Sequence, residues 1–269
     1  MSEPQLRVLH HWACSGGTLI SRCLACLPGV VFLNELHPLA HLRLLRDPLD
    51  RLYSPTDICR QLSLSHNGSD PSLVMAAFTG ALSALLLKTS QQGKTLVVRS
   101  HDYIDFFVGA LPLSGFSVHR AMRDCASLLS VLTLRHPLDC WLSLLQTEWY
   151  RQISQYSLDE FCRRCLLMLD AAADMPCIYY ENFVADPPAN LATLCRHLAL
   201  EPDPQVLLDC HRIQISGDSG RRSCVIEPRP RRAVSGPLHD EISRSQHYDQ
   251  LCARLGYQPD PDAPFPHLK

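Results

Sequence analysis

Trp12-Ala13-Cys14-Ser15-Gly16-Gly17-Thr18 is the stretch that decides how this chain is read. It follows a short apolar run, Leu6, Val8 and Leu9, and opens a segment with helical spacing, Leu19, Ile20, Cys23, Leu24 and Leu27. Strand, glycine-bearing turn and helix in that order point several backbone N–H groups at one anion. Glycine lets the backbone approach closely, and the helix N-terminus adds partial positive charge. A plain tight turn uses the same residue types, so the loop alone leaves both readings open.

Working outward, apolar runs alternate with longer helical patterns. Thr95-Leu96-Val97-Val98 follows a helix-like stretch from Ser72 to Leu87, and Leu129 to Leu134 precedes an amphipathic segment from Pro137 to about Tyr150. Cys177-Ile178-Tyr179-Tyr180 precedes a helical pattern carrying Leu191, Leu194 and Leu198. This alternation predicts an α/β fold: a mainly parallel central sheet flanked by helices on both faces. Ligands of such sheets bind beyond the carboxyl ends of the strands. Three longer stretches break the rhythm, His37–Asp70, Asp102–Ala126 and Ser216–Pro237, and each reads as a substrate wall or lid, or as a surface insertion. Residues 1–256 are expected to form one domain, with 257–269 a tail containing four prolines.

Composition narrows the class. The chain has 269 residues, is 46% apolar and carries a net charge of −2, enough to bury a full core and without the basic excess of a nucleic-acid binder. Its 13 cysteines are scattered. Apolar runs such as Ala81 to Leu87 read as too short to span a bilayer, and nothing before the first strand resembles a signal peptide or anchor. The expectation is a cytoplasmic protein with reduced thiols.

The second constellation is Arg135-His136-Pro137-Leu138-Asp139, with Ser143 two turns further along the same helix. An arginine at the end of a buried strand needs an anion. That anion is either a ligand reached by Arg135 and Ser143 together or the carboxylate of Asp139.

In order and separation, the glycine loop after the first strand, the Arg135-x-Pro137-x-Asp139-x-x-x-Ser143 pattern after a middle strand and Tyr180-Glu181-Asn182-Phe183-x-x-x-Pro187 resemble the sulfotransferase family. The resemblance covers Val8 to about Arg232 and implies a P-loop-NTPase-like architecture that uses 3′-phosphoadenosine 5′-phosphosulfate (PAPS) without a metal. It implies that Ser15, Gly16, Gly17 and Thr18 hold the 5′-phosphosulfate, that Arg135 and Ser143 hold the 3′-phosphate, and that Tyr180 lies near the adenine. Asn182 replaces the commoner aspartate. The basic loop Ser219-Gly220-Arg221-Arg222-Ser223 falls where the family closes a late loop over the nucleotide, with Arg221 and Ser223 as candidate contacts or as part of a solvated strip.

Two residues compete as the base that takes the acceptor's proton. Glu35, in Asn34-Glu35-Leu36-His37-Pro38, matches a catalytic glutamate of some family members, including the tyrosylprotein type. His101, in Val98-Arg99-Ser100-His101, is similar to the Lys-Thr-His of the cytosolic small-molecule enzymes. Histidine suits general-base work at neutral pH, whereas a glutamate needs burial to raise its pKa. The alternatives are a Glu35 that caps or pairs with a residue such as Arg43, and a His101 satisfied at a strand end.

Cys14 departs from the family pattern, which places lysine or arginine there against the bridging oxygen. Arg22, Arg99 and the histidines of His10-His11 are the candidate replacements. Other chemistries fit poorly. A Cys-x5-Arg phosphatase loop needs arginine where Ile20 stands, and no G-x4-G-K-[ST] is present. Gly217-Asp218-Ser219-Gly220 sits in an α/β rather than an all-β chain. Cys23-x2-Cys26 and Cys162-x2-Cys165 lie inside helical patterns as small core hydrophobes, and Trp141, Trp149 and Tyr150 read as core and groove lining. The expected activity is sulfuryl transfer from PAPS to a hydroxyl or amine. The rival is a PAPS- or PAP-binding protein (PAP is the desulfated product) that kept the fold and lost catalysis.

Overall fold

A computed structural model of the chain describes residues 5–40, 57–64, 70–109, 116–147, 149–153, 156–216 and 225–266. Its five strands are β1 (Gln5–His11), β2 (Val30–Leu36), β3 (Thr95–Ser100), β4 (Ser127–Leu134) and β5 (Cys177–Tyr179). All pair in parallel in the order β2-β3-β1-β4-β5. The helices are α1 (Gly17–Ala25), α2 (Ile58–Leu64), α3 (Pro71–Gln91), α4 (Tyr103–Phe106), α5 (Ser117–Arg123), α6 (Pro137–Leu145), α7 (Leu158–Ala171), α8 (Tyr180–Ala185), α9 (Pro187–His197), α10 (Val206–Asp209), α11 (Gly236–Arg244) and α12 (Gln246–Leu255).

Both faces of the sheet are covered, so its strands are apolar on both sides. Leu6 and Val8 of β1 join Leu96 and Val98 of β3 against Phe78, Leu82 and Leu86 of α3 and Val118 and Met122 of α5. Residues of opposite parity, Leu9, Val97, Val131 and Ile178, pack on Leu19, Ile20, Cys23 and Leu24 of α1 and on Leu191 and Leu194 of α9. A third cluster joins Leu132 and Leu134 of β4 to α6, α7 and α12, and takes in Trp141, Cys162 and Cys165. Each large aliphatic or aromatic side chain so buried contributes roughly 1.5–3 kcal/mol.

Local signals fix the helix starts. Asp70 accepts from Ser72 N at 2.8 Å with Pro71 in the first turn of α3, and Ser157 accepts from Glu160 N at 3.1 Å to begin α7. The segment from Pro137 is shorter than its pattern predicts. The helix stops at Leu145, where the Thr147 hydroxyl donates to Leu144 O at 2.8 Å and a short 3₁₀ turn, Trp149–Gln152, follows. A second correction concerns apolar length: α3 runs 21 residues and by length and composition alone is long and apolar enough to cross a membrane. In the fold its Val74, Phe78, Leu82 and Leu86 face the core.

The long stretch after β3 is not structureless. Asp105 of α4 accepts from Ser117 N at 2.8 Å and so holds α5 against it. The chain after α12 wraps back along α6 and α8. Tyr257 is fully buried and donates to Glu181 Oε2 at 2.5 Å, and His136 Nε2 donates to Gln258 O at 3.1 Å.

β1 is the central strand. Its successor β2 lies two places to one side and β4 lies immediately to the other, so the chain reverses direction across the sheet at β1. The crevice beyond its carboxyl end is where a doubly wound sheet takes ligands.

Candidate active site

The Trp12–Thr18 loop emerges at that crevice. Cys14 (φ 61°) and Gly16 (φ 85°) are left-handed, which bends the chain sharply enough to begin α1 at Gly17. A Cβ on Gly16 would lie 2.2 Å from Tyr180 Cδ2, so the tyrosine ring rests on bare backbone. A Cβ on Gly17 would lie 3.1 Å from His11 Cγ and 3.2 Å from Arg99 Nη2. The glycines are therefore needed for close approach as well as for conformation. Ser15 is fully buried and turns inward: its hydroxyl donates to Trp12 O at 3.0 Å and lies 3.1 Å from Thr133 Oγ1. Its hydroxyl braces the loop against β4. Thr18 Oγ1 accepts from Arg99 Nη1 at 3.3 Å.

Arg135 follows β4 and reaches the same loop. Its Nη1 donates to Cys14 O at 3.2 Å, and its guanidinium carbon lies 4.7 Å from the centre of the Tyr180 ring. The carboxylate of Asp139 is instead gripped by Arg231, at 3.3 Å and 3.2 Å. Ser143 donates to Asp139 O at 2.8 Å and accepts from Arg232 Nη1 at 2.9 Å. Loop, Arg135 and Tyr180 are thus brought together, with Ser143 on the adjoining helix beside Arg232. Arg221 and Ser223 lie outside the described residues. Just before them, Ser216 accepts at its backbone oxygen from Asn34 Nδ2 at 2.8 Å.

The two base candidates stand at the ends of β2 and β3. The β2–β3 register shifts between Leu33 and Leu36, and Glu35 adopts φ 53°, uncommon for a residue with a side chain. This irregularity aims Asn34 and Glu35 at Arg99: Nη1 donates to Asn34 Oδ1 at 3.2 Å and lies 3.4 Å from Glu35 Oε1. His101 carries a buried Nδ1 with no hydrogen-bond partner among the described residues. Burial first, with Arg99 and His37 adding to it against the pull of Glu35, lowers its pKa to about 4. At neutral pH its ring is uncharged.

Cys14 itself brings no charge to the loop. Burial pushes the Cys14 thiol up to about 11 against the pull of Arg135, Arg232 and Arg99, so it is neutral at pH 7. Arg99 is buried against Gly17 and Thr18, and burial lowers its pKa only to about 10, so it keeps its charge. His11 touches the loop, but burial and then Arg99 and His101 hold its pKa well below the ordinary value, so it supplies no charge. His10 points to Asp102 (3.1 Å), and Arg22 lies toward Cys210. Sequence reasoning missed Arg232 and Asn34. The Arg231-Arg232 pair stands ten residues beyond Arg221-Arg222, and nothing local in the sequence marks it as the pair that meets Asp139 and Ser143.

The profile described as the sulfotransferase family matches residues 12–204. Among solved structures, the chain is similar to the sulfotransferase domain of the Synechococcus PCC 7002 olefin synthase, at 19% identity and TM-score 0.55, covering 96% of this chain and 97% of that one. It is similar also to the sulfotransferase domain from the curacin biosynthetic pathway, at 14% identity and TM-score 0.55, covering 96% and 99%. At these identities the likeness is one of fold. No curated protein matches the chain.

Proposed function

The chain belongs to the sulfotransferase family, and from that premise we propose that it moves a sulfuryl group from PAPS to a hydroxyl or amine of an acceptor. The observation that carries this reading is the gathering of Arg99, Arg135 and Arg232 around Cys14 at a glycine-built helix start.

The residues present fit a nucleotide that is anionic at both its 3′ and 5′ ends. Among the described residues, His11 Nε2, Arg99 Nε and His101 Nδ1 are buried polar atoms without hydrogen-bond partners. Buried polar atoms of this kind are expensive unless a ligand answers them. Gly16, Gly17 and Thr18 would hold the 5′-phosphosulfate at the N-terminus of α1, with Ser15 bracing the loop from within. Arg135, Ser143 and Arg232 would hold the 3′-phosphate, and Tyr180 would lie beside the adenine. PAPS supplies the activated sulfuryl group; the protein's part is positioning, charge neutralisation and proton transfer.

In this reading His101 accepts the acceptor's proton. Its neutral ring offers a lone pair at pH 7, whereas Glu35 already engages Arg99 and serves to orient that guanidinium. Arg99 supplies from β3 the positive charge that Cys14 does not supply from the loop. A cytoplasmic location belongs to the same proposal, supported by cysteines that are free thiols among the described residues.

The neutral Cys14 favours a second reading, a protein that binds PAPS or PAP without catalysis. Calorimetry with PAP, paired with transfer of labelled sulfate from PAPS to a panel of hydroxyl and amine acceptors, separates the two. Binding with turnover supports transfer, binding without turnover supports the second reading, and no binding by folded protein overturns both.

A further inference from the structure

Asp102 follows His101 directly and stands at the N-cap position of α4, where an aspartate ordinarily accepts an N–H of the first helical turn. It makes no such bond. The side chain is fully buried and turns back across the sheet to β1. Its two oxygens receive His10 Nδ1 at 3.1 Å and 3.3 Å, the His11 backbone N–H at 3.3 Å and the Ser100 hydroxyl at 2.6 Å. On the far side of this cluster, His10 Nε2 lies 3.1 Å from His119 Nδ1.

These contacts occur where the ladder between β1 and β3 has run out. The β1–β3 register extends from Arg7↔Val97 to Leu9↔Arg99 and no further. Beyond it β1 continues as His10 and His11 into the glycine loop, and β3 continues as Ser100 and His101. One carboxylate joins the two strand ends in place of the missing ladder bonds. A carboxylate this deeply buried is tolerated only when its lone pairs are filled, and here three different donors fill them. Removing one oxygen therefore frees a donor at the entrance to the loop or at the exit of β3.

From this we infer that Asp102 is a positioning residue, which holds His101 in register with the glycine loop so that the base faces the group that loop binds. The inference rests on the reading of His101 as proton acceptor. The loop has its own braces, Ser15 on Thr133 and Arg135 on Cys14 O, whereas His101 is tied by its backbone N–H to Leu36 O of β2 at 3.0 Å and its strand end meets β1 through Asp102, so losing the Asp102 tie shifts the base relative to the loop more than it disturbs the anion cradle.

The test is a double-mutant cycle on full-length protein, using Asp102→Asn, His101→Ala and both together, with kcat for sulfate transfer and calorimetric PAP affinity measured on the folded fraction. Asp102→Asn is expected to lower kcat by about 10- to 100-fold, as a misplaced base does, while the PAP Kd changes by less than about threefold. In the His101→Ala background the same substitution is expected to change kcat by less than about twofold, because a residue that acts through another adds nothing once that other is gone. A purely structural aspartate would give multiplicative losses, and that outcome overturns the proposal, as does a single variant with wild-type kcat. Where Asp102→Asn does not accumulate as folded protein, Ser100→Ala removes only the 2.6 Å donor. It is expected to lower kcat by about 3- to 10-fold with PAP affinity retained, and unchanged kcat overturns the proposal equally. A wild type that binds PAP but transfers nothing overturns the transferase reading itself and Asp102's role with it, an outcome told apart from the others before any variant is compared.

Discussion

Arg99 Nη1 donates to the Thr18 hydroxyl at 3.3 Å, so a side chain from β3 brings its charge to a loop that has none of its own. This predicts a graded loss at position 99. Arg99→Lys keeps the charge but not the planar guanidinium, whose Nη1 serves both Thr18 and Asn34, and should retain part of the activity. Arg99→Met should lower kcat by roughly 10²- to 10³-fold, the usual cost of removing a donor aimed at developing negative charge. Steady-state sulfate transfer checks both, and an Arg99→Met enzyme at wild-type kcat would remove Arg99 from the mechanism.

Tyr180 lying on Gly16 makes a different prediction. Gly16→Ala places a methyl 2.2 Å from the ring in a left-handed backbone at φ 85°, so clash and strain act together. PAP binding should be lost to calorimetry. Adding Tyr180→Ala relieves the clash but not the strain, which costs roughly 1–2 kcal/mol, so the melting temperature should recover only part of the way.

Arg231 and Asp139 form a buried pair, their side chains 2% and 6% exposed. Leaving one partner uncompensated costs about 3–5 kcal/mol. Chemical denaturation of Arg231→Ala should show a loss of that order, and a loss under about 1 kcal/mol would mean that the pair behaves as a surface one.

The histidines set the pH response. His101, His119 and His136 all titrate near 4, each lowered first by burial. Their folded values lie below the unfolded value of about 6.5, so the unfolded chain binds more protons between the two. Stability from these groups is fully present above about pH 6.5 and is lost as pH falls toward 4. Glu181, whose carboxyl burial raises, opposes this weakly. Thermal melts should fall over that interval, while kcat should stay flat from about pH 6 to 8 because His101 is already neutral. A kcat that rises tenfold per unit across pH 6–7 would contradict a base titrating near 4.

How far the sequence led depended on whether a feature was local. Leu6–Leu9, Thr95–Val98 and Leu129–Leu134 read as strands because each is a self-contained apolar run, and the glycine turn before Leu19 announced α1. The meeting of that loop with Arg135 followed from parallel strands delivering their turns to one edge. Three features were hidden. Glu35 is re-aimed by a register shift that no residue type announces. Asp139 stands four residues from Arg135 yet pairs with Arg231, 92 residues away, because the chain returns over α6 only once folded. The approach of the Tyr180 ring to Gly16 depends on β5 ending at Tyr179, one residue earlier than its apolar run suggested.

The central claim is that the loop and Arg135 form one two-ended nucleotide site. Asp139 is held by Arg231 and makes no ion pair with Arg135 among the described residues, although its charge still acts on the Arg135 guanidinium. Calorimetry of PAP binding to Arg135→Ala, beside the melt of the same ligand-free protein, tests this most directly. The predicted result is PAP affinity lower by about 10- to 100-fold with the ligand-free melting temperature nearly unchanged. Wild-type affinity, or a large fall in the ligand-free melting temperature, would contradict it.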